Sequence, residues 1–432
     1  MSHGRGETLL NVQDLLDRMV ERPGGRLYPL AVGLTLIGVV GFIAGVMTEP
    51  ARAWTALVWN WAFWSGVSTG GAILVAASTI ASGRWIRSLR RLAESLTAFM
   101  PVSYVIMIVL FFGLGHVYSW VEHPPEVKAA YLNPRFFVFR QLISVGIVYL
   151  LSLSLVYWSL RPDLGLLKER VGGWRRGLYE RLTRNWQGLD IELERSIYKR
   201  ERLAPAVVLV WAAGWTVWAW DWLMSIDPHW FSTLFGAWMF MTYFLAAIGV
   251  TAVLATFFRR YRSFVDIIDQ RSLHDIGKML FAFTIFWTYL FFAQYLVIWY
   301  GRLPEETHFI EQRLWHAYQP IAIIVLLGVF LVPFLGLLGV KPKRTPALLR
   351  TFAMISLVGI WFFHLLIIGP GVFPDSIALG GIELAVAAGV LGAFMLTTMT
   401  FFRAMPSIAI AAGLPPDPET EKLAELTEPH HH

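Results

Sequence analysis

The chain has 432 residues, of which 56% are hydrophobic and 15% charged, with a mean hydropathy of +0.55. A soluble domain is nearer half apolar and a quarter charged, so an ordinary soluble enzyme is excluded. There is no cysteine, which removes disulfides, thiol nucleophiles, Cys-bound zinc, iron–sulfur clusters and covalently attached haem, and the net charge of +6 bears on membrane orientation rather than on nucleic acid, for which no partnership is expected.

Residues 1–28 form a polar N-terminal segment without the apolar core and cleavage site of a signal peptide. Leu9, Val12, Leu15, Leu16, Met19 and Val20 recur at helical spacing, which predicts a short helix on the membrane surface. Crossing a hydrocarbon core takes about 20 mostly apolar residues. Ten such stretches follow, near 29–47, 54–81, 93–120, 136–160, 204–226, 230–258, 276–300, 315–340, 349–369 and 382–402.

The first span belongs to a segment 29–53. The second contains WNWAFWSGVSTGGA (59–72), where Gly66 and Gly70 form a GxxxG suited to a close helix crossing, with Asn60, Ser65 and Ser68 beside it. The third carries Glu94, Thr97, Tyr104 and His116 within a 120° arc at about 100° per residue. Arg140 lies in the fourth. A connection at 161–203, rich in both charges, reads as a solvated loop with surface helices; the sharper reading is a docking platform for a partner. The fifth span ends in WAWDWLMSIDPHW, with Asp221 still inside it and a short turn at Asp227, Pro228 and His229. A buried carboxylate needs a partner or a proton, and Arg140 is at a suitable depth. The seventh span begins with His274, Asp275 and Lys278 and continues through Thr284, Thr288 and Tyr295 on one arc. His364 lies in the ninth span and Glu383 opens the tenth.

Of the 36 Lys and Arg residues, 29 fall at the two termini and in the connections after the even-numbered spans, and 5 fall in the opposite connections. The positive-inside rule then predicts that both termini are cytoplasmic. Residues 87–100 (RSLRRLAESLTAFM) and 271–284 (RSLHDIGKMLFAFT) match at six positions without a gap, and each leads into a span that ends near an acidic proline stretch. The expected fold is therefore an all-α integral membrane protein of ten transmembrane helices. It has two duplicated four-helix bundles (helices 2–5 and 6–9, residues 54–226 and 227–369), flanked by the first helix and by a tenth in 370–402, with a cytoplasmic tail at 403–432.

Ionisable groups within spans are costly and mark function by default. Two tiers emerge. The cytoplasmic half of a proton path would use Glu94, His274, Asp275, Lys278, Thr284 and Thr288, and the outer half His116, Arg140, Asp221, Asp227, His229 and Tyr295. The alternative is interhelical glue, with Thr and Tyr bonding across helices and the charges reaching the interface. A quinone headgroup, needing a proton acceptor and donor near its carbonyls, would find both among Ser65, Ser68, His116 and Asp221. Only His116 and His364 lie well inside spans, so a b-type haem is not expected, and no redox centre of the chain's own is foreseen. A stand-alone secondary transporter and a purely structural anchor are the competing classes.

The stretches KMLFAFTIFWTYLFFAQYLVIWYGRLPEET (278–307), DWLMSIDPHWFSTLFG (221–236) and WNWAFWSGVSTGGA (59–72) resemble the ActF-type membrane subunits of bacterial alternative complex III, in the NrfD/polysulfide-reductase membrane family. The resemblance covers nearly the whole chain. It implies a subunit of a quinol:electron-acceptor oxidoreductase in the bacterial inner membrane, with cytochrome c as acceptor. Implied partners are a sister NrfD-like membrane subunit, an iron–sulfur subunit, multihaem and monohaem cytochrome c subunits, and lipids. Haem and iron–sulfur clusters would then sit on partner subunits only, with quinone or menaquinone as the candidate small ligand and a proton-conducting role for this chain.

Overall fold

The computed structural model describes residues 25–409 apart from 262–263 and 265–266. The expected surface helix around Leu9–Val20 and the tail from 410 lie outside the described residues. Among those described there are helices and no strand, and ten helices are long and apolar enough to cross a membrane. The chain is a multi-pass integral membrane protein. We number these helices α1 (Tyr28–Thr48), α2 (Pro50–Ile80), α3 (Arg90–Val117), α4 (Pro134–Leu167), α5 (Leu189–Trp222), α6 (Leu234–Phe258), α7 (Gln270–Gly301), α8 (His316–Gly336), α9 (Pro346–Val372) and α10 (Gly381–Ala404).

Local chemistry explains most boundaries. Proline stands in the first turn of α1, α2, α4 and α9, where its missing N–H costs no helical bond. Asn133 caps α4, its side chain accepting from the N–H groups of Arg135 and Phe136. Asp269 caps α7 through Ser272 N at 2.7 Å. Two spans are irregular. A 3₁₀ turn at Thr97–Phe99 interrupts α3 just before Pro101, and a second follows at Phe111–Gly113. In α8 a π-helical segment, Leu326–Leu331, precedes Pro333.

Burial separates core from rim. The apolar windows of α2 and α6 are 78% and 72% buried, against 17% for α1, so α2 and α6 form the axis of the molecule. α2 packs on α3, α5, α6, α9 and α10; α6 packs on α2, α5, α7 and α9. α4 lies against α5, and α8 against α9. The GxxxG of α2 is this central crossing: a Cβ on Gly66 would sit 1.7 Å from the Tyr243 ring of α6, and one on Gly70 2.5 Å from the Tyr243 carbonyl. α1 clasps α10 as closely, since a Cβ on Gly38 would lie 2.1 Å from the Gly389 Cα.

The 161–203 connection is more helical than expected. α4 runs on to Leu167, a surface helix spans Trp174–Leu182, and α5 begins at Leu189. Arg161 and Glu192 join the two extensions in a bidentate pair at 2.6 and 3.0 Å. Tyr179 is buried beneath the surface helix, its hydroxyl held above the ordinary tyrosine range mainly by that burial. Trp174 and Tyr198 remain exposed.

Candidate functional site

The most polar interior lies among α2–α5. At the Lys/Arg-rich end, Arg91 bonds both Glu94, one turn on in α3, and Asp163 near the end of α4. All three are essentially inaccessible. Arg90 approaches Glu94 at 3.6 Å and donates to Thr79 at 2.6 Å. The second carboxylate oxygen of Glu94, Oε1, is buried and has no hydrogen bond.

From Asp163 the buried face of α4 continues through Ser159, Ser152, Tyr149 and Gln141, which recur at three-, four- and seven-residue multiples. At mid-depth three helices meet: the Ser103 hydroxyl of α3 lies 2.6 Å from Ser65 of α2 and 2.7 Å from the Tyr149 hydroxyl. Trp61 Nε1 donates to the Ser103 carbonyl at 2.9 Å and lies 3.0 Å from its hydroxyl. Along the facing side of α5 run Trp211, Trp215, Trp218 and Trp222, with Trp215 and Trp218 stacked at 5.3 Å. The hydroxyls of Ser152 and Ser159 and the indole N–H groups of Trp211, Trp215 and Trp218 are buried without a hydrogen-bond partner. An unpaired buried polar group costs about 1–3 kcal/mol, so a run of them is expected to be satisfied by ordered water.

At the opposite end Asp221 closes the column. Arg140 grips it bidentately at 2.7 and 2.8 Å, and Gln141 donates to it as well. Trp222 Nε1 donates to Gln141 Oε1 at 2.9 Å, and Arg140 lies over the rings of Tyr131 and Phe136. Asp221 is fully buried and Arg140 12% exposed, so this pair is the column's boundary with its surroundings. Beyond it the chain turns through Asp227–His229, and Lys128 donates to the Pro228 carbonyl at 2.6 Å.

The predicted residues sort unevenly. Glu94, Ser65, Arg140 and Asp221 belong to the column. His274, Asp275 and Lys278 do not join Glu94: Lys278 pairs with Asp275 at 2.8 Å and is 56% exposed, and among the described residues the start of α7 packs on the short helix Val340–Arg344. The expected inner set therefore divides into two sites. Thr97, Tyr104 and Thr288 donate to backbone carbonyls, which is interhelical or local glue. Thr284 is buried with its hydroxyl unpartnered, and Tyr295 lines a cavity among α6–α9. His116 and His229 are exposed, and Asp227 is half-buried. The proposed quinone set does not converge. The Ser68 hydroxyl donates to Leu96 O at 2.8 Å, Ser65 is bonded to Ser103, Asp221 is taken by three donors, and His116 faces outward. His364 is buried with both ring nitrogens engaged, Nδ1 with Ile360 O and Nε2 with the Tyr243 hydroxyl.

Sequence reasoning passed over Asp163, Arg91, Ser103, Tyr149 and Gln141. Asp163 lies past the apolar stretch of the fourth span, and its four-residue step to Ser159 on the same helix face is the signal that could have found it. It also missed Arg313 in the short helix Pro304–Leu314. This side chain is buried, donates to Phe309 O and Ile367 O, and borders the α6–α9 cavity beside Gln294 and Trp287. Burial holds its guanidinium down to about 9, opposed by Asp227.

No family model matches the chain, and no curated protein matches it.

Proposed function

We propose that this protein is an integral subunit of a quinol-oxidising, cytochrome c-reducing complex of the bacterial inner membrane, and that its α2–α5 bundle conducts protons across or partway across the bilayer. Electrons travel on partner subunits carrying haem and iron–sulfur clusters, beside a sister membrane subunit of the same fold. The single observation that supports conduction is the buried column from Asp163 and Glu94 through Ser159, Ser152, Tyr149, Ser103 and Ser65 to Gln141 and Asp221. It joins a carboxylate with one oxygen that accepts no hydrogen bond, beside Arg90, to orphaned hydroxyls and a second carboxylate. Proton transfer needs groups that both take and give a proton with hydroxyls or water between them. The respiratory assignment rests on the sequence resemblance, and the cytoplasmic placement of the Glu94 end on the distribution of Lys and Arg.

Duplication of α2–α5 as α6–α9 is part of the same reading. The helix pairs correspond: α2 with α3 and α5, α6 with α7 and α9, and α5 with α6 as α9 with α2. Ser88 and Ser272, equivalent in the repeat, are bonded to each other at 2.7 Å. Trp61 of α2 donates to Ser103 of α3, whereas Trp287 of α7, the equivalent of Ser103, donates to Thr242 of α6. In both cases an indole N–H meets a hydroxyl across the helix pair.

The test uses the purified complex in sealed vesicles carrying a pH-sensitive dye. Tyr149→Phe removes one hydroxyl from mid-column. Its expected effect is a loss of about tenfold or more in proton movement per quinol oxidised, with folding and quinol oxidation retained. Unchanged proton movement would end the conduction reading. A chain that purifies alone and colourless from native membranes would end the respiratory one.

A further inference from the structure

A second site lies outside the column, where α7 begins beside the short helix Val340–Arg344. We propose that this rim binds the phosphate of an anionic phospholipid, whose acyl chains lie along the exposed faces of α7 and α8. The inference rests on the membrane location and not on the respiratory role.

Cations gather here without matching carboxylates. Lys278, Lys343 and Arg344 surround His274, and Lys341 precedes them on the exposed edge of the short helix. Asp275 pairs with Lys278; among the described residues Lys341, Lys343 and Arg344 form no ion pair. Lys343 is only 7% exposed. Its stem packs on Gly277, where an added Cβ would come within 2.9 Å of it. Its ammonium lies 4.5 Å from the Phe281 ring centre and reaches Leu338 O at 3.4 Å. These contacts place a buried cation without supplying a counter-charge. Burial, and then the charge of Lys278, hold it below the ordinary lysine range. Two ammonium groups and a guanidinium that repel one another at a membrane rim are what a phosphodiester neutralises.

The apolar surroundings select a lipid over a soluble phosphate. Leu335, Leu338 and Val340 are more than half exposed next to the cations, and Ile285 and Tyr289 are exposed further along α7. Acyl chains would cover them while the headgroup meets Lys278, Lys341 and Arg344.

The experiment takes the full chain, strips lipid by detergent exchange, and reconstitutes it in nanodiscs of phosphatidylcholine and phosphatidylglycerol in equal parts. The lipid retained on re-extraction is counted by native mass spectrometry. The wild type should retain phosphatidylglycerol about tenfold over phosphatidylcholine. The double variant Lys278→Gln/Arg344→Gln should fall to the bulk ratio with an unchanged melting temperature. Arg176→Gln, on the exposed surface helix, should keep the preference. No preference in the wild type, or an equal preference in the double variant, overturns the site. So does a photo-crosslinker replacing Tyr289 that captures protein rather than lipid in native membranes.

Discussion

Two sites 184 residues apart carry the same ion pair with its charges exchanged. In α3 it is Arg91 with Glu94; in α7 it is Asp275 with Lys278. The spacing of three residues is identical, yet the first pair is 1% and 0% exposed and the second 29% and 56%. Cover makes the difference. The extensions of α4 and α5 and the surface helix between them lie over α3, and α4 adds Asp163 to the cluster. Out of water each charge must be matched, so Arg91 serves two carboxylates and the site becomes a single interlocked unit. At the start of α7 water and headgroups screen the pair, and surplus cations are tolerated. One local spacing thus gives a buried, interlocked unit in one place and an open electrostatic surface in the other.

Five variants test that contrast, in falling order of expected effect apart from the mirror exchange, which serves as a control. Arg91→Gln leaves Glu94 and Asp163 buried and unmatched, and should cost about 3–5 kcal/mol, read as lost folded yield and a lower melting temperature in mild detergent. The exchange Arg91→Asp/Glu94→Lys, which copies the α7 pair into α3, should fail nearly as badly because the new Asp would face Asp163; the mirror exchange Asp275→Arg/Lys278→Glu should fold normally. Equal outcomes for the two exchanges would remove cover as the deciding variable. Asp221→Asn takes the counter-charge from Arg140, which still reaches water, and should cost about 2 kcal/mol in the same melt. Lys278→Met should change stability by about 0.5 kcal/mol or less, since an exposed pair contributes little. A large loss there would show that something else rests on Lys278.

Much of this was legible in the residues, and the rest was hidden for physical reasons. All ten spans were readable because lipid demands long uninterrupted apolar runs, and each overlaps an observed helix, although the fifth helix begins at Leu189, some fifteen residues before the expected start at 204. The ends were less clear. α4 and α5 run on past their apolar stretches as Arg161 and Glu192 satisfy each other across the extensions, a pairing no hydropathy window contains. The partner of Asp221 was inferable from depth alone, since one arginine lay within reach of that end. The different surroundings of Glu94 and Lys278, which the repeat aligns, were not legible in the sequence. Equivalence carries over geometry along a helix but not what packs on top of it.

The clasp between α1 and α10 has a consequence for biogenesis. α1 is made well before α10, the neighbour against which Gly38 fits closest. Until α10 inserts, α1 has its packing on α2 but lacks its larger partner. Insertion of α10 is therefore the step that closes the glycine face of α1: a chain truncated before Gly381 would leave Gly38 and Gly41 open to lipid.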